Sequence, residues 1–220
     1  MILISPKTAE HLYWMGRYIQ RAESMTRLVI GLFDKIIDED FEDAKNFYEK
    51  LGIPLEYNSS QAFLRQSVFD VEYASLAYAI NSARENAILT RASLSNRMFS
   101  RINALYLQYK AAKEERVVSL YWLENTLKEL DAIWGNLELS LVEAKEAPLI
   151  QLGKVVERMD LNIRLHDSIE AALLDVEKLN IIAEKIRPSH KPIALSSSNK
   201  YKVLQKINSV YGTLAYVSES

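Results

Sequence analysis

Residues that end helices are scarce in this sequence, which has six glycines and five prolines in 220 residues. Sheet-rich domains need frequent turns, and those turns are usually built on glycine, proline or Asn-Gly pairs. Long stretches of this chain contain none of these, and their apolar residues recur with the period of an α-helix. No domain boundary is evident. The sequence therefore predicts an all-α fold, a single helical bundle of long helices over residues 1–220.

Capping residues and breakers predict where these helices begin and end. Ser5 is the predicted N-cap of a first helix that runs to about residue 37, where Asp38-Glu39-Asp40 ends or interrupts it. Gly52 is a predicted C-terminal stop, Asp70 a predicted N-cap and Gly135 a predicted site for a break. The later helices are predicted over residues 41–51, 61–68, 71–91, 94–112, 117–144, 148–186 and 200–216.

One helical motif occurs twice. Residues 12–28 and 152–165 share the pattern Gly-basic-x-aliphatic-Gln/Glu-Arg-x-acid-x-x-x-Arg-Leu, at a constant offset of 137 (153 − 16). The offset is far longer than the period of a solenoid repeat, so it predicts an internal pseudo-repeat within the bundle rather than an array. The aligned pairs are Gly16/Gly153, Arg17/Lys154, Ile19/Val156, Gln20/Glu157, Arg21/Arg158, Glu23/Asp160, Arg27/Arg164 and Leu28/Leu165.

The motif places charged side chains at fixed spacing along each helix. Glu23 precedes Arg27 by four residues, and the second copy repeats this arrangement, which stabilises a helix by about 0.2–0.5 kcal/mol per pair. Arg21 and Arg158 have no acid four residues earlier. An arginine near an apolar face must find a carboxylate, a carbonyl or a ligand once the bundle closes around it. We therefore expect the partners of these two arginines on other helices.

A third segment carries a similar set of charges, Arg84, Glu85 and Arg91. We expect its helix to adjoin the two motif helices, so that their arginines and acids form a buried or half-buried network. Two interpretations stay open, because structural ion-pair networks resemble functional sites. Either the network is structural, or its surplus of arginine binds an anion or a peptide. The candidate residues are Arg17, Arg21, Glu23, Arg27, Arg84, Glu85, Arg91, Glu157, Arg158, Asp160 and Arg164.

The composition argues against several classes of partner. A formal net charge of −2 gives no basic field for nucleic acid or for an anionic membrane surface. Cysteine is absent, which fits a reducing compartment. No segment resembles a signal peptide, and no window approaches the run of about 18 apolar residues that a membrane span needs. We expect a cytoplasmic protein that binds neither nucleic acid nor membrane.

Motifs for catalysis and cofactor binding are also missing from the sequence. It has no glycine-rich phosphate loop and no Gly-x-Ser-x-Gly elbow. His11, His166 and His190 are scattered, without the spacing of a metal site. We therefore predict no metal, no cofactor and no catalytic residue, and we expect a protein that is not an enzyme.

Three segments together resemble the alpha-E family, a set of predicted all-helical domains named for a helical Glu-Arg motif. They are residues 12–23 (LYWMGRYIQRAE), residues 83–87 (ARENA) followed by Arg91, and residues 152–160 (LGKVVERMD). Gln20, Lys154 and Met159 stand where the family has Glu, Arg and Ala. The resemblance covers roughly residues 5–170, and the C-terminal part, about residues 186–220, looks shorter than the family pattern.

The resemblance implies a context rather than an activity. Alpha-E domains are typically encoded beside, or fused to, ATP-grasp-like proteins and transglutaminase-like or proteasome-related peptidases. This implies a non-catalytic helical partner or scaffold in an ATP-grasp/peptidase-type system of peptide synthesis or modification, with those proteins as partners. The alternative is an enzyme, or a protein that binds an anion or peptide through the arginine–carboxylate cluster. That alternative predicts a solvent-connected cleft in which Arg21, Arg84 and Arg158 converge.

Overall fold

Regular structure is helical throughout the residues that the computed structural model describes, which are 4–37, 41–70, 74–115, 118–140, 146–166, 169–188, 190–195 and 199–215. This confirms the predicted all-α class, while the internal pseudo-repeat stays a prediction. The helices are α1 (Pro6–Ile37), α2 (Phe41–Lys50), α3 (Ser60–Arg65), α4 (Leu76–Leu89), α5 (Asn96–Glu115), α6 (Leu120–Ser140), α7 (Ala147–His166), α8 (Glu170–Leu173), α9 (Val176–Ile186) and α10 (Lys200–Ala215).

Helix α1 is the element on which most of the others pack. α7 and α4 make the most extensive contacts with it, and α2, α3, α6 and α10 also touch it. Its apolar residues recur at helical spacing and fill the core beneath these neighbours. The fully or almost fully buried positions on its core face include Leu12, Met15, Ile19, Ala22 and Val29. The position of α1 explains why the first motif contacts several helices at once.

The ends of α1 and α2 follow the predicted signals. The hydroxyl of Ser5 accepts the backbone N–H of Thr8 at 3.1 Å. Gly52 has a φ of 76°, in the left-handed region that glycine adopts without steric cost. Beside it the N–H of Ile53 bonds the carbonyl of Tyr48 at 3.0 Å, which closes the end of α2. The acidic run at residues 38–40 lies outside the described residues.

Three other predicted boundaries need correction. Asp70 does not cap α4, since it ends a π-helical turn after α3, and α4 begins later with Ser75 as its cap, accepting the N–H of Tyr78 at 3.1 Å. The helix predicted over residues 148–186 is divided into α7, α8 and α9, because the chain turns so that α9 packs back on α7. Gly135 lies inside α6, where packing outweighs the cost of about 1 kcal/mol for a glycine in a helix.

α1 and α7 cross at two glycines. A Cβ atom on Gly16 would lie 2.1 Å from the carbonyl oxygen of Ile150, and a Cβ atom on Gly153 would lie 2.1 Å from that of Tyr13. The backbone of each helix therefore occupies the space that a side chain on the other would need. The two contacts are related by the offset of the repeated motif. Gly16 and Gly153 are 137 residues apart (153 − 16), and so are Tyr13 and Ile150 (150 − 13).

Gly16→Ala and Gly153→Ala should each destabilise the fold by about 1–3 kcal/mol or more, because the added methyl group meets backbone atoms that cannot rotate away. Gly31→Ala is the matched control on α1, since nothing lies within 4 Å of its added Cβ. Alanine favours a helix by about 1 kcal/mol over glycine, so this variant should be at least as stable as the parent. Urea unfolding measures the free energy of unfolding of the three variants and of the parent. Equal stability of Gly16→Ala and Gly31→Ala would contradict the close crossing.

Candidate functional site

Glu157 on α7 carries a carboxylate that is completely buried beside the helix crossing. Its Oε2 accepts a hydrogen bond from Nε of Arg17 at 2.6 Å, and its Oε1 accepts one from Nε of Arg21 at 2.5 Å. The two arginines are four residues apart on α1, so they project from the same face of that helix. One carboxylate is thus shared by two guanidinium groups from the neighbouring helix.

Asn208 connects α10 to this group. Its side-chain oxygen accepts a hydrogen bond from Nη1 of Arg17 at 2.7 Å, and its Nδ2 donates to Oδ1 of Asp160 at 2.6 Å. Asp160 also accepts from Nε of Arg164, through Oδ2 at 2.6 Å. The amide therefore links Arg17 of α1 to the second acid of α7, so that three helices contribute to one polar network.

The charges in this network hold one another ionised. Burial alone would raise the pKa of Asp160, but the hydrogen bonds from Arg164 and Asn208 outweigh it and keep that pKa below its ordinary value. Burial likewise disfavours the charged form of Arg17, yet the nearby carboxylate of Glu157 raises the pKa of Arg17 above its ordinary value. Both groups therefore stay charged at neutral pH.

A cleft of about 380 Å³ opens beside the network. Part of its lining is charged or polar, and the remainder is apolar. Its volume lies within the range of small-molecule binding sites, which are usually apolar pockets with a few convergent polar groups. The lining residues are Arg17, Arg21, Met25, Leu51, Ile53, Ala74, Glu157, Asp160, Leu161, Arg164 and Asn208.

The charged groups of the cleft differ in exposure and in how fully they are paired. Side-chain exposure is 0% for Glu157, 7% for Arg17 and Asp160, 28% for Arg21 and 43% for Arg164. Of the lining residues that the structure describes, these three arginines and two carboxylates leave one net positive charge. Arg21 gives only Nε to Glu157, and its two Nη groups form no hydrogen bond with any residue that the structure describes. The cleft therefore contains a partly exposed guanidinium edge.

The family of the chain follows from residues 4–201, which match the model of the Alpha-E family, described as a predicted alpha-helical domain with a conserved ER motif. The chain belongs to the Alpha-E family. No curated protein and no solved structure matches it. Asn208, which joins the network from α10, lies beyond the part of the Alpha-E chain that the family model matches.

The two motif copies of this Alpha-E chain contribute unequally to the network. The second copy has Glu157-Arg158, whereas the first has Gln20-Arg21. Gln20 is buried and donates to the hydroxyl of Ser24 at 3.0 Å. A neutral amide cannot balance a guanidinium group, and Arg21 of the first copy bonds Glu157 of the second copy instead.

Two predicted site residues lie on another face of α1, against α6. Glu23 accepts hydrogen bonds from Nε1 of Trp134 at 2.9 Å and from Nη2 of Arg27 at 3.1 Å. Arg27 also reaches Asp131 at 3.2 Å. The side chain of Arg27 is more than half exposed, and such surface pairs contribute at most about 1 kcal/mol. These contacts tie α1 to α6 outside the cleft.

The expectation that Arg84, Glu85 and Arg91 join the motif helices in one network needs correction. α4 does pack on α1, but Arg84 donates to Asn103 on α5 at 2.8 Å and also pairs with Glu85 at 3.0 Å. Arg91 donates to the carbonyl of Leu94 at 3.0 Å. A helix has neighbours on several sides, and its sequence does not tell which neighbour each arginine faces.

Arg158 also departs from the expected arrangement. It donates through both Nε and Nη2 to the carboxylate of Asp175, with Nε 2.6 Å from Oδ2. The expected convergence of Arg21, Arg84 and Arg158 is therefore replaced by a cleft that Arg17, Arg21 and Arg164 line.

Asp175 and Asn208 are the polar partners that the sequence did not point to. Asp175 lies at the N-cap of α9, inside the stretch that had been predicted as one continuous helix. Asn208 lies on α10, which showed only an apolar packing pattern. Each meets its arginine because distant helices fold together, and no local spacing signals that contact.

Within the described residues, no group of three or more histidine, aspartate and glutamate side chains is placed to hold a metal ion. None of the described helices has the length and apolar composition needed to cross a membrane. The guanidinium groups at the cleft are of a kind that can pair with carboxylate or phosphate oxygens.

Asp160→Asn should lower the stability of the fold most at neutral pH. Because the pKa of Asp160 is lowered in the folded chain, its ionised form contributes stability that is present above the unfolded pKa, about 4, and is lost as the pH falls through the folded pKa. The difference in unfolding free energy between parent and variant should therefore shrink as the pH is lowered from about 5 to about 2. Urea unfolding across this range measures it, and a constant difference would contradict the assignment.

Proposed function

We propose that this Alpha-E domain is a binding domain whose cleft between α1, α7 and α10 receives the negatively charged group of a small ligand. The observation that carries the proposal is Arg21, which lines the cleft and leaves both Nη groups without a hydrogen bond to any described residue. The planar fork of arginine suits bidentate pairing with carboxylate or phosphate.

A contrast within the molecule supports this role for Arg21. Arg158 occupies the equivalent position in the second motif copy, and it donates two hydrogen bonds to a carboxylate of its own, that of Asp175. Arg21 instead shares one carboxylate with Arg17. The side chains of Arg21 and Arg158 are similarly exposed, at 28% and 31%, so access to water does not account for the difference. The difference lies in the acids within reach, since among the described residues Arg21 pairs only with the carboxylate that Arg17 also uses.

The same geometry favours binding over acid–base catalysis. A general base must accept a proton at the operating pH. Both oxygens of Glu157 already accept hydrogen bonds from arginines, and the lowered pKa of Asp160 keeps that carboxylate ionised. We therefore assign these acids to the positioning of the arginines.

Arg21→Met should abolish anion binding. In the parent, acetate or phosphate should raise the thermal midpoint relative to chloride at equal ionic strength, because a ligand that binds the folded chain stabilises it. The variant should lose this shift. Arg27→Met is the matched control, since Arg27 lies on the same helix but pairs with Glu23 and Asp131, and it should keep the shift. Circular dichroism checks that both variants fold. Absence of a shift in the parent, or an unchanged shift in Arg21→Met, would refute the proposed function.

A role as a cytoplasmic, non-catalytic partner or scaffold in an ATP-grasp/peptidase-type system is a second proposal, supported by the family resemblance. The surface around α8 and α9 favours it, because Leu173, Leu174 and Ile181 are large apolar side chains exposed to solvent.

We expect the chain to co-purify with an ATP-grasp-like, transglutaminase-like or proteasome-related protein of the same genome, and Leu174→Glu to weaken that association. A chain that stays monomeric beside each such protein would contradict this role.

A further inference from the structure

We infer that the ligand of this cleft is a monocarboxylate carried on an uncharged, apolar body, such as the C terminus of an apolar peptide. This rests on the proposed anion binding and specifies its ligand class. The supporting observations are the net charge of the cleft, the geometry of Arg21, the hydrogen bonds of the two acids and the apolar part of the lining.

The charge of the cleft matches a single negative charge. Among the described lining residues, three arginines exceed two carboxylates by one, so one bound carboxylate would balance these groups. A phosphate monoester carries about −1.5 to −2 at pH 7 and would leave negative charge uncompensated. That excess would lie close to the carboxylates of Glu157 and Asp160, where low dielectric strengthens repulsion. Charge balance therefore favours a carboxylate over a phosphate.

The fork of Arg21 is held in place for a two-oxygen acceptor. Its Nε is fixed on Glu157 at 2.5 Å, and its guanidinium carbon lies 5.6 Å from the ring centroid of Tyr18. The two Nη groups remain as a pair of donors, which matches the two oxygens of a carboxylate. A donor pair that is ordered before the ligand arrives reduces the entropy lost on binding.

The two acids of the cleft leave little capacity for an ammonium group. Glu157 accepts one arginine hydrogen bond on each oxygen. Asp160 accepts from Asn208 on Oδ1 and from Arg164 on Oδ2. A ligand ammonium would compete with these bonds inside a site that already has net positive charge. A free amino acid therefore suits the cleft less well than a carboxylate whose amine is blocked, as in a peptide.

The apolar lining supplies the surface for the body of the ligand. Leu161 is a buried apolar residue of α7 that lines the cleft. It follows Asp160 directly on α7, so an apolar contact lies next to the charged ones. Leu51 and Ile53, after α2, extend this surface. Binding of an apolar body against this surface would remove apolar area from water, which favours association.

The test uses isothermal titration calorimetry on the full chain at pH 7 and constant ionic strength, with four probes. They are N-acetyl-L-leucine, N-acetyl-L-leucinamide, L-leucine and inorganic phosphate. N-acetyl-L-leucine should bind most tightly. Its amide should bind at least about tenfold more weakly, because the loss of a charge-assisted hydrogen bond costs that much or more. L-leucine should bind more weakly because its ammonium group finds no free acceptor on the two described acids. Phosphate should bind more weakly because its excess negative charge is not compensated.

Variants separate the contributions to binding. Arg21→Lys keeps the charge but removes the fork, and it should weaken N-acetyl-L-leucine binding about tenfold or more. Ile53→Ser removes apolar lining at a half-buried position, and it should weaken N-acetyl-L-leucine binding without changing the thermal shift that acetate produces. Arg27→Met should leave the affinity unchanged.

Each other outcome overturns a defined part of the inference. Binding of phosphate through Arg21 without binding of N-acetyl-L-leucine would retain anion binding and refute the carboxylate class. Equal affinity for the acid and its amide would refute carboxylate recognition, and equal affinity for L-leucine would refute the uncharged body. If no probe binds and no anion stabilises the chain, both the ligand class and the proposed function are wrong.

Discussion

The burial of one carboxylate determines much of this structure. Removing an ionised carboxylate from water costs several kcal/mol, and paired charges offset that cost only when their geometry is close. Glu157 meets this requirement with arginine contacts of 2.6 and 2.5 Å. Such contacts require α1 and α7 to approach closely, and Gly16 and Gly153 remove the side chains that would hold the helices apart. The glycines and the ion pairs therefore depend on each other.

The sharing of Glu157 also explains how the site acquires its charge. A single carboxylate can orient two guanidinium groups, but it neutralises only one of them. Arg17, the more buried of the two, finds further acceptors in Asn208 and in the hydroxyl of Tyr13. Arg21 is less buried and lines the cleft, and its Nη groups have no hydrogen bond to a described residue. The ion pairs at the helix crossing thus also produce the partly exposed cation on which the proposed anion binding rests.

The sequence predicts those parts of the molecule whose causes are local. The all-α class follows from the scarcity of glycine and proline. The cap at Ser5 follows from its side-chain hydroxyl, and the stop at Gly52 follows from the left-handed backbone that glycine adopts without cost. The need of Arg21 for a partner on another helix follows from the lack of an acid four residues earlier. The contacts of Arg84 and Asn208 depend on how each helix is rotated and on how distant helices fold together, and local spacing carries no information about either.

The difference between the two motif copies explains why α1 supplies arginines to the cleft while both of its described carboxylates come from α7. In the first copy, Gln20 replaces the glutamate, so its helix supplies arginines without that acid. In the second copy, Lys154 lies 4.0 Å from the ring centroid of Trp134, and Arg158 is bonded to Asp175, so these cations have partners of their own. Glu157 instead accepts hydrogen bonds from Arg17 and Arg21 on the opposite helix. Gln20 is buried and donates to Ser24 within α1, so in the described contacts Arg17 and Arg21 depend on the carboxylate of the second copy.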